Sequence, residues 1–232
     1  MSLFASFEEA WQWFTAGGEL VPLAEQRERL TGGRAQYLSF QAPLADDAAA
    51  SGAADGLLDA LADVPGLIPL QPELRHVSIR SAGFQVIRKT REDEVLREDV
   101  PRIAERAARL LKDAAPIAVT VGPPNVFPDA LVLEVHDGGA LGELRRALAA
   151  AAAAEAERIA DSRYLPHMTV ASFVSAELAG PLRERLPAVR ETFAPVETNI
   201  RRVELARYWF TGLDVEHEEI DVDVIRSYRL RG

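Results

Sequence analysis

Cysteine is absent from the 232 residues, which excludes disulfides, thiolate metal sites and cysteine nucleophiles. Lysine is scarce: Lys89 and Lys112 stand alone among 26 basic residues, and the rest are arginine. Acidic residues number 36, and the resulting net charge of −10 argues against a chain that coats long duplex nucleic acid with a broad basic surface. A nucleotide or a short RNA end held in a local basic cleft remains compatible with that charge. No apolar run reaches membrane-spanning length, because the alanine-rich tract Ala147 to Ala160 is broken by Glu155, Glu157 and Arg158. Met1 to Phe14 carries no basic region followed by an apolar core, so no secretory leader is read and a cytoplasmic protein without a membrane anchor is expected. A Gly-x-Ser-x-Gly elbow is also missing, which argues against a serine hydrolase.

What remains is a chain with 48% hydrophobic residues, long enough to bury a core and short enough for one domain. Ser6 can cap a helix in which Phe7, Trp11 and Phe14 fall at i, i+4 and i+7, and Gly17-Gly18 close it. A second short helix around Leu23 to Leu30 stops at Gly32-Gly33. Residues 1–34 therefore read as a helical N-terminal extension that packs on the main body, 35–232. From there strands and helices alternate. Tyr37 to Phe40 and Leu74 to Arg80 read as strands, and Asp46/Asp47 and Asp99-Pro101 open helices between and after them. Ile117 to Val121 and Ala130 to Val135 read as a hairpin joined by a Pro-Pro-Asn loop. A helix is expected near Ala176 to Leu186, and two C-terminal strands near Arg201 to Phe210 and Ile220 to Leu230. The hairpin and the C-terminal pair favour α+β with antiparallel sheets over a doubly wound fold.

One short pattern occurs twice. Leu74-Arg75-His76-Val77-Ser78-Ile79 and Leu165-Pro166-His167-Met168-Thr169-Val170 both read Leu-x-His-apolar-(Ser/Thr)-apolar. A given histidine fits the shorter core of this pattern by chance roughly 2% of the time, so two among four histidines is a strong signal. Strand side chains alternate with period two, so each histidine shares a face with the hydroxyl two residues on, while the apolar neighbours point into a core. The other two histidines lack this company: His136 ends a strand beside Glu134, and His217 lies in the acidic run Asp214 to Asp223. There Ile220, Val222 and Val224 alternate with Asp221 and Asp223, a pattern better explained by a solvated strand face than by a metal site. No metal and no cofactor are expected. Tyr37, Phe84, Tyr164, Phe173, Tyr208 and Trp209 could supply a base-stacking platform, although most of them read as core.

These residues resemble the two-histidine (2H) phosphoesterase superfamily, which contains LigT-like 2′-5′ RNA ligases and cyclic nucleotide phosphodiesterases. The resemblance rests on His76-Val77-Ser78-Ile79 and His167-Met168-Thr169-Val170, and on the stretches Ile117 to Gly122, Val126 to Pro128 and Leu131 to Val135 between them. It spans about Ala35 to the C-terminus; Ser78 stands where threonine is commoner. The resemblance implies a bilobal fold, two pseudo-twofold-related antiparallel sheets with outer helices, and a cleft between the lobes where the motifs face each other. It implies His76 and His167 as general acid and base on a 2′,3′-cyclic phosphate or 2′-5′ diester of a nucleotide or RNA end. Ser78 and Thr169 would bind the phosphate. Arg80, next in the same row, either adds charge there or is a strand-end arginine in solvent. RNA 2′-5′ ligation, the same chemistry reversed, and a silent nucleotide-binding module are the alternatives.

Overall fold

A computed structural model describes residues 4–152, 163–210 and 220–231. The alanine-rich helix is followed to Ala149, and most of its remaining expected length, with His217 and most of the acidic run around it, lies outside the described residues.

Among the described residues, ten strands form one curled sheet of two matching halves. The first half contains β1 (Gln36–Pro43), β3 (His76–Val86), β9 (Arg202–Phe210) and β10 (Ile220–Arg229) in the order β3-β1-β9-β10. The second contains β5 (Ile117–Phe127), β6 (Ala130–His136), β7 (His167–Phe173) and β8 (Val196–Ile200) in the order β7-β6-β5-β8. The central strands β3 and β7 run antiparallel and pair at one position, Val77 opposite Met168, after which they splay. Each splayed end picks up a short strand: β4 (Glu94–Leu96) lies parallel on β3, and β2 (Leu67–Pro69) antiparallel on β7. Apart from β4 the sheet is antiparallel, as α+β patterning requires.

Helices α3 (Ala48–Ala60), α4 (Val100–Leu110), α5 (Ala140–Ala149) and α6 (Ala179–Thr192) complete the main body. Their apolar faces join strand residues such as Phe40, Val77, Ile79, Leu133, Met168 and Val170 in one continuous core. Asp47 begins α3 by accepting a hydrogen bond from the Ala50 amide at 2.9 Å, the capping signature visible in the sequence. In front of the main body lie α1 (Phe7–Thr15) and α2 (Leu23–Thr31). Ser6 caps α1 through the Glu9 amide at 3.1 Å, and Gly32 ends α2 in the left-handed conformation.

The expected Pro-Pro-Asn loop is instead part of a strand. β5 runs through Gly122, Pro123 and Pro124 to Phe127, and the reversal falls at Pro128 and Asp129. Two features let proline stay in the sheet: β8 stops opposite Val121, leaving this part of β5 without a strand on that side, and one extra β5 residue bulges between Val121 and Pro124. Helix α1 lies against this part of β5. The Asn125 amide, fully buried, donates to the Phe7 carbonyl at 2.9 Å, and the Val21 amide donates to the Pro128 carbonyl.

Candidate active site

The pairing of Val77 with Met168 decides what else meets. Both side chains are buried in the core, so the residues on either side of them point to the opposite, concave face. Antiparallel direction then sets His76 across from Thr169, and Ser78 across from His167. The two motifs thus converge crosswise about a local twofold axis, each a single residue from the seam.

The likeness extends to the backbone. Opposite β1, Ser78 faces Gln41 and Arg80 faces Phe40, so Ile79 is an extra residue. Opposite β6, Thr169 faces Val132 and Ala171 faces Leu131, so Val170 is extra. The fourth residue of each motif is therefore a bulge, a device that re-aims the strand beyond it. The residue before each histidine also makes the same bond: the Arg75 carbonyl accepts from the Leu44 amide at 3.0 Å, and the Pro166 carbonyl from Val135 at 2.9 Å.

The first bulge corrects the expectation for Arg80. Period-two alternation would aim it into the cleft with His76 and Ser78. The extra residue turns it onto the face of its partner Phe40, where it is buried and reaches the Arg145 carbonyl of α5 at 3.5 Å. It is neither in the cleft row nor in solvent. Its neighbour Arg145, 2% exposed, donates to the Ile79 carbonyl at 3.0 Å and lies 4.7 Å from the Tyr164 ring centre. Tyr164 in turn donates to the Ser78 carbonyl at 2.9 Å, so the first bulge is held by its main-chain carbonyls.

Both imidazoles are oriented alike. His76 Nδ1 donates to the Leu74 carbonyl at 2.6 Å, and His167 Nδ1 donates to the Leu165 carbonyl at 2.7 Å. A carbonyl only accepts, so each neutral ring carries its proton on Nδ1 and keeps Nε2 as a bare lone pair. The leucine shared by the two motifs thus contributes its main chain. Ser78 Oγ donates to His76 Nε2 at 3.0 Å. Thr169 is half-buried on the same face, opposite Val132. The Phe127 ring meets His167 edge-on, with centres 4.8 Å apart.

Burial holds the His76 pKa down at about 4 against an ordinary 6.5; its Leu74 bond opposes this, and the nearby His167 adds to it. Burial lowers His167 as well, partly offset by its Leu165 bond and by the Asp129 carboxylate. Both rings are neutral at pH 7 in the ligand-free protein, and a charge on one opposes a charge on the other.

A residue from outside either motif completes the first half. Tyr208, on β9, donates to Gln41, and its oxygen lies against the His76 ring, 3.2 Å from Nε2 and 3.4 Å from Nδ1. Burial, with Tyr37 and Glu204 nearby, raises its pKa, so the phenol stays protonated. Sequence reasoning offers it only as one of six candidate stacking aromatics. Nothing local marks it, because it reaches the site through β1, where it pairs with Tyr37. In the second half the buried Glu134 carboxylate binds Asn125 at 2.8 Å, Arg190 at 2.7 Å and His136 Nε2 at 3.0 Å. His136 is thereby tied to structural partners. Among the described residues, no group of three or more histidine or carboxylate side chains is placed to hold a metal ion.

The family model of the 2′-5′ RNA ligase superfamily matches residues 76–209, from the first motif histidine to the residue after Tyr208 and more than half of the chain. The chain belongs to this superfamily. Membership places it among enzymes of phosphoesterase and ligase type. Its fold is that of TT0787 from Thermus thermophilus, with a TM-score of 0.59 at 18% identity over 84% of this chain and 98% of that one. It is equally that of apo LigT from E. coli, with a TM-score of 0.59 at 14% identity over 86% of this chain and all of LigT. LigT complexed with 3′-AMP gives a TM-score of 0.54 at 14% identity over 86% and 100%; LigT has also been crystallised with ATP, NADP+ and phosphate. No curated protein sequence matches the chain. Among the described residues, no helix is long and apolar enough to cross a membrane.

Proposed function

We propose that the protein is a phosphodiesterase that opens 2′,3′-cyclic phosphates, or cleaves 2′-5′ diesters, at a nucleotide or RNA end, with His76 and His167 as base and acid. The observation that carries this reading is the matched pair of rings. Each has its Nδ1 proton fixed by its own strand, so each Nε2 is free to take or give a proton. In the reaction a water oxygen bonds to phosphorus and a ribose oxygen leaves. One imidazole removes the water proton and the other, protonated, supplies a proton to the departing oxygen. The pair ends with its charge exchanged and resets through solvent. Lowered pKa values suit this cycle: the rings resist double protonation, and the anionic substrate brings the charge that lets one of them hold a proton.

Ser78 and Thr169 share the face of the histidines and would donate to the non-bridging oxygens. Arg80 has no part in this scheme, because it turns to α5. Tyr208 takes a place in it, since its oxygen lies against the His76 ring and favours the imidazolium. The 3′-AMP complex of LigT supports a nucleotide as ligand. The test is turnover of 2′,3′-cyclic nucleotides and 2′-5′ dinucleotides by the purified protein and by its His76→Ala and His167→Ala variants. Each substitution should cost about 10²–10⁴-fold in kcat, the usual worth of a positioned acid or base. Undiminished activity in either variant, or activity that EDTA abolishes and a divalent ion restores, would refute the reading.

A further inference from the structure

The concave face of the sheet is treated differently in its two halves. Strand register makes Gln41 in the first half equivalent to Val132 in the second, because each faces the hydroxyl residue of its motif. Two residues earlier, Ser39 corresponds to Ala130. At these two positions the first half presents polar groups and the second apolar ones, while Asn125 and Glu134 on the same face of the second half are buried and bonded to each other. The apolar set, Val132 and Ala130 with Phe127, is buried under the N-terminal segment, with Phe4, Ala10 and Leu165 filling the same cluster and Phe7 and Trp13 packed against it. Phe7 stacks on Phe127 with centres 6.4 Å apart, and Phe4 lies 6.1 Å from it. Phe127 is the ring that touches His167. On the first half the row leading away from His76 instead holds the half-buried rings of Tyr208 and Tyr37, with centres 5.8 Å from His76 to Tyr208 and 6.4 Å from Tyr208 to Tyr37.

We propose that the N-terminal segment plugs the second half's wing of the cleft and so makes the active site one-sided. This rests on the phosphodiesterase reading above and specifies its substrate. In-line chemistry at phosphorus between two facing histidines needs an entering and a leaving group on opposite sides. Water is the entering group for both substrates. In a 2′-5′ diester the leaving oxygen carries one nucleoside and the ester oxygen that stays on phosphorus carries another. Two nucleosides thus flank the phosphorus, and one must lie on the wing that Phe4, Phe7 and Trp13 cover. In a 2′,3′-cyclic phosphate both ester oxygens belong to one ribose, so a single nucleoside flanks the phosphorus. The nucleoside then sits on the polar wing, with Tyr208 and Tyr37 beside it, and the plugged wing has nothing to accommodate. The segment that does this precedes the stretch matched by the family model.

The experiment compares kcat/KM for a 2′,3′-cyclic mononucleotide and a 2′-5′ dinucleotide in the full chain, in Phe7→Leu and in Phe4→Ala/Phe7→Ala. The unmodified protein should prefer the cyclic substrate by about 100-fold, the scale on which a filled apolar pocket discriminates. Opening the wing in the double variant should raise dinucleotide cleavage about tenfold and leave the preference correspondingly smaller, with Phe7→Leu between the two. The half-buried Phe7 makes the single variant compatible with folding, so the graded response is readable even where the double variant fails to fold. Equal cleavage of both substrates by the unmodified protein, or a ratio unmoved in a folded variant, would overturn the proposal and leave the phosphodiesterase reading standing. Turnover of neither substrate would overturn the reading itself.

Discussion

Substrate binding should take up a proton, and the structure sets how much. Lowering the His76 pKa from 6.5 to about 4 corresponds to about 3 kcal/mol, at about 1.4 kcal/mol per pH unit. A phosphodiester anion about 4 Å from the ring, at an effective dielectric constant of about 20, returns about 4 kcal/mol to the imidazolium. The two nearly cancel, so His76 in the complex should titrate close to neutrality. A diester has no second ionisation near pH 6, so it is the right probe, and His167→Ala lets a 2′,3′-cyclic nucleotide bind with turnover suppressed. With pKa values of about 4 free and about 7 bound, roughly 0.9 proton should be taken up per nucleotide at pH 6. Affinity should fall about tenfold per unit between pH 5 and 6.5 and level off above 7. Calorimetry in two buffers of different ionisation enthalpy measures the uptake directly. A pH-independent affinity with no proton uptake would show that the anion does not sit against His76, and the proposed placement of phosphate would fail.

Stability carries the same signature with its own sign. Because the folded pKa of His76 lies below its unfolded value, the folded state binds fewer protons between pH 6.5 and 4, and stability should drop by up to about 3 kcal/mol as pH falls through that window. Thermal melts of the unmodified protein and of His76→Ala, whose loss should be shallower, check it. Tyr208→Phe removes the oxygen that lies against the His76 ring and favours its charged form, and it should lower kcat about tenfold while leaving the fold intact. Asn125→Ala strips the buried Glu134 carboxylate and the Phe7 carbonyl of a donor and should cost about 1–3 kcal/mol in chemical denaturation. Arg145→Met should cost a similar amount by orphaning the Ile79 carbonyl, and should slow catalysis by loosening the first motif.

Much of the site was legible in the chain because it is local. His76 with Ser78, and His167 with Thr169, needed only period-two alternation to be placed on common faces, and their repetition announced two related halves. Helix starts at Ser6 and Asp47 were equally plain, since a capping side chain acts within three residues. Features set by partners were not. Alternation failed at Arg80 because a bulge is a property of two strands, visible only once Gln41 and Phe40 define the register. Pro123 and Pro124 read as a loop because the end of β8 at Val121, which makes them tolerable in β5, is encoded some 75 residues later. The short strands β2 and β4 and the five-residue β8 lack a pattern long enough to read. Tyr208 carried no mark of its own. The aromatic stripe of α1 reads as a packing face, and the surface it packs on is the wall of a cleft.

The bonds from Leu74 and Leu165 to the two imidazoles come from main-chain carbonyls, and that makes the chemistry unusually resistant to mutational drift. In many enzymes an aspartate fixes the tautomer of the working histidine, and one nucleotide change can remove it. Here no single side-chain replacement deletes the acceptor, because every amino acid brings the same carbonyl. Positions 74 and 165 can vary as widely as packing allows, provided the backbone stays extended. A saturation library at these two sites should therefore keep most of its active members, and should lose them chiefly where a substitution bends the chain.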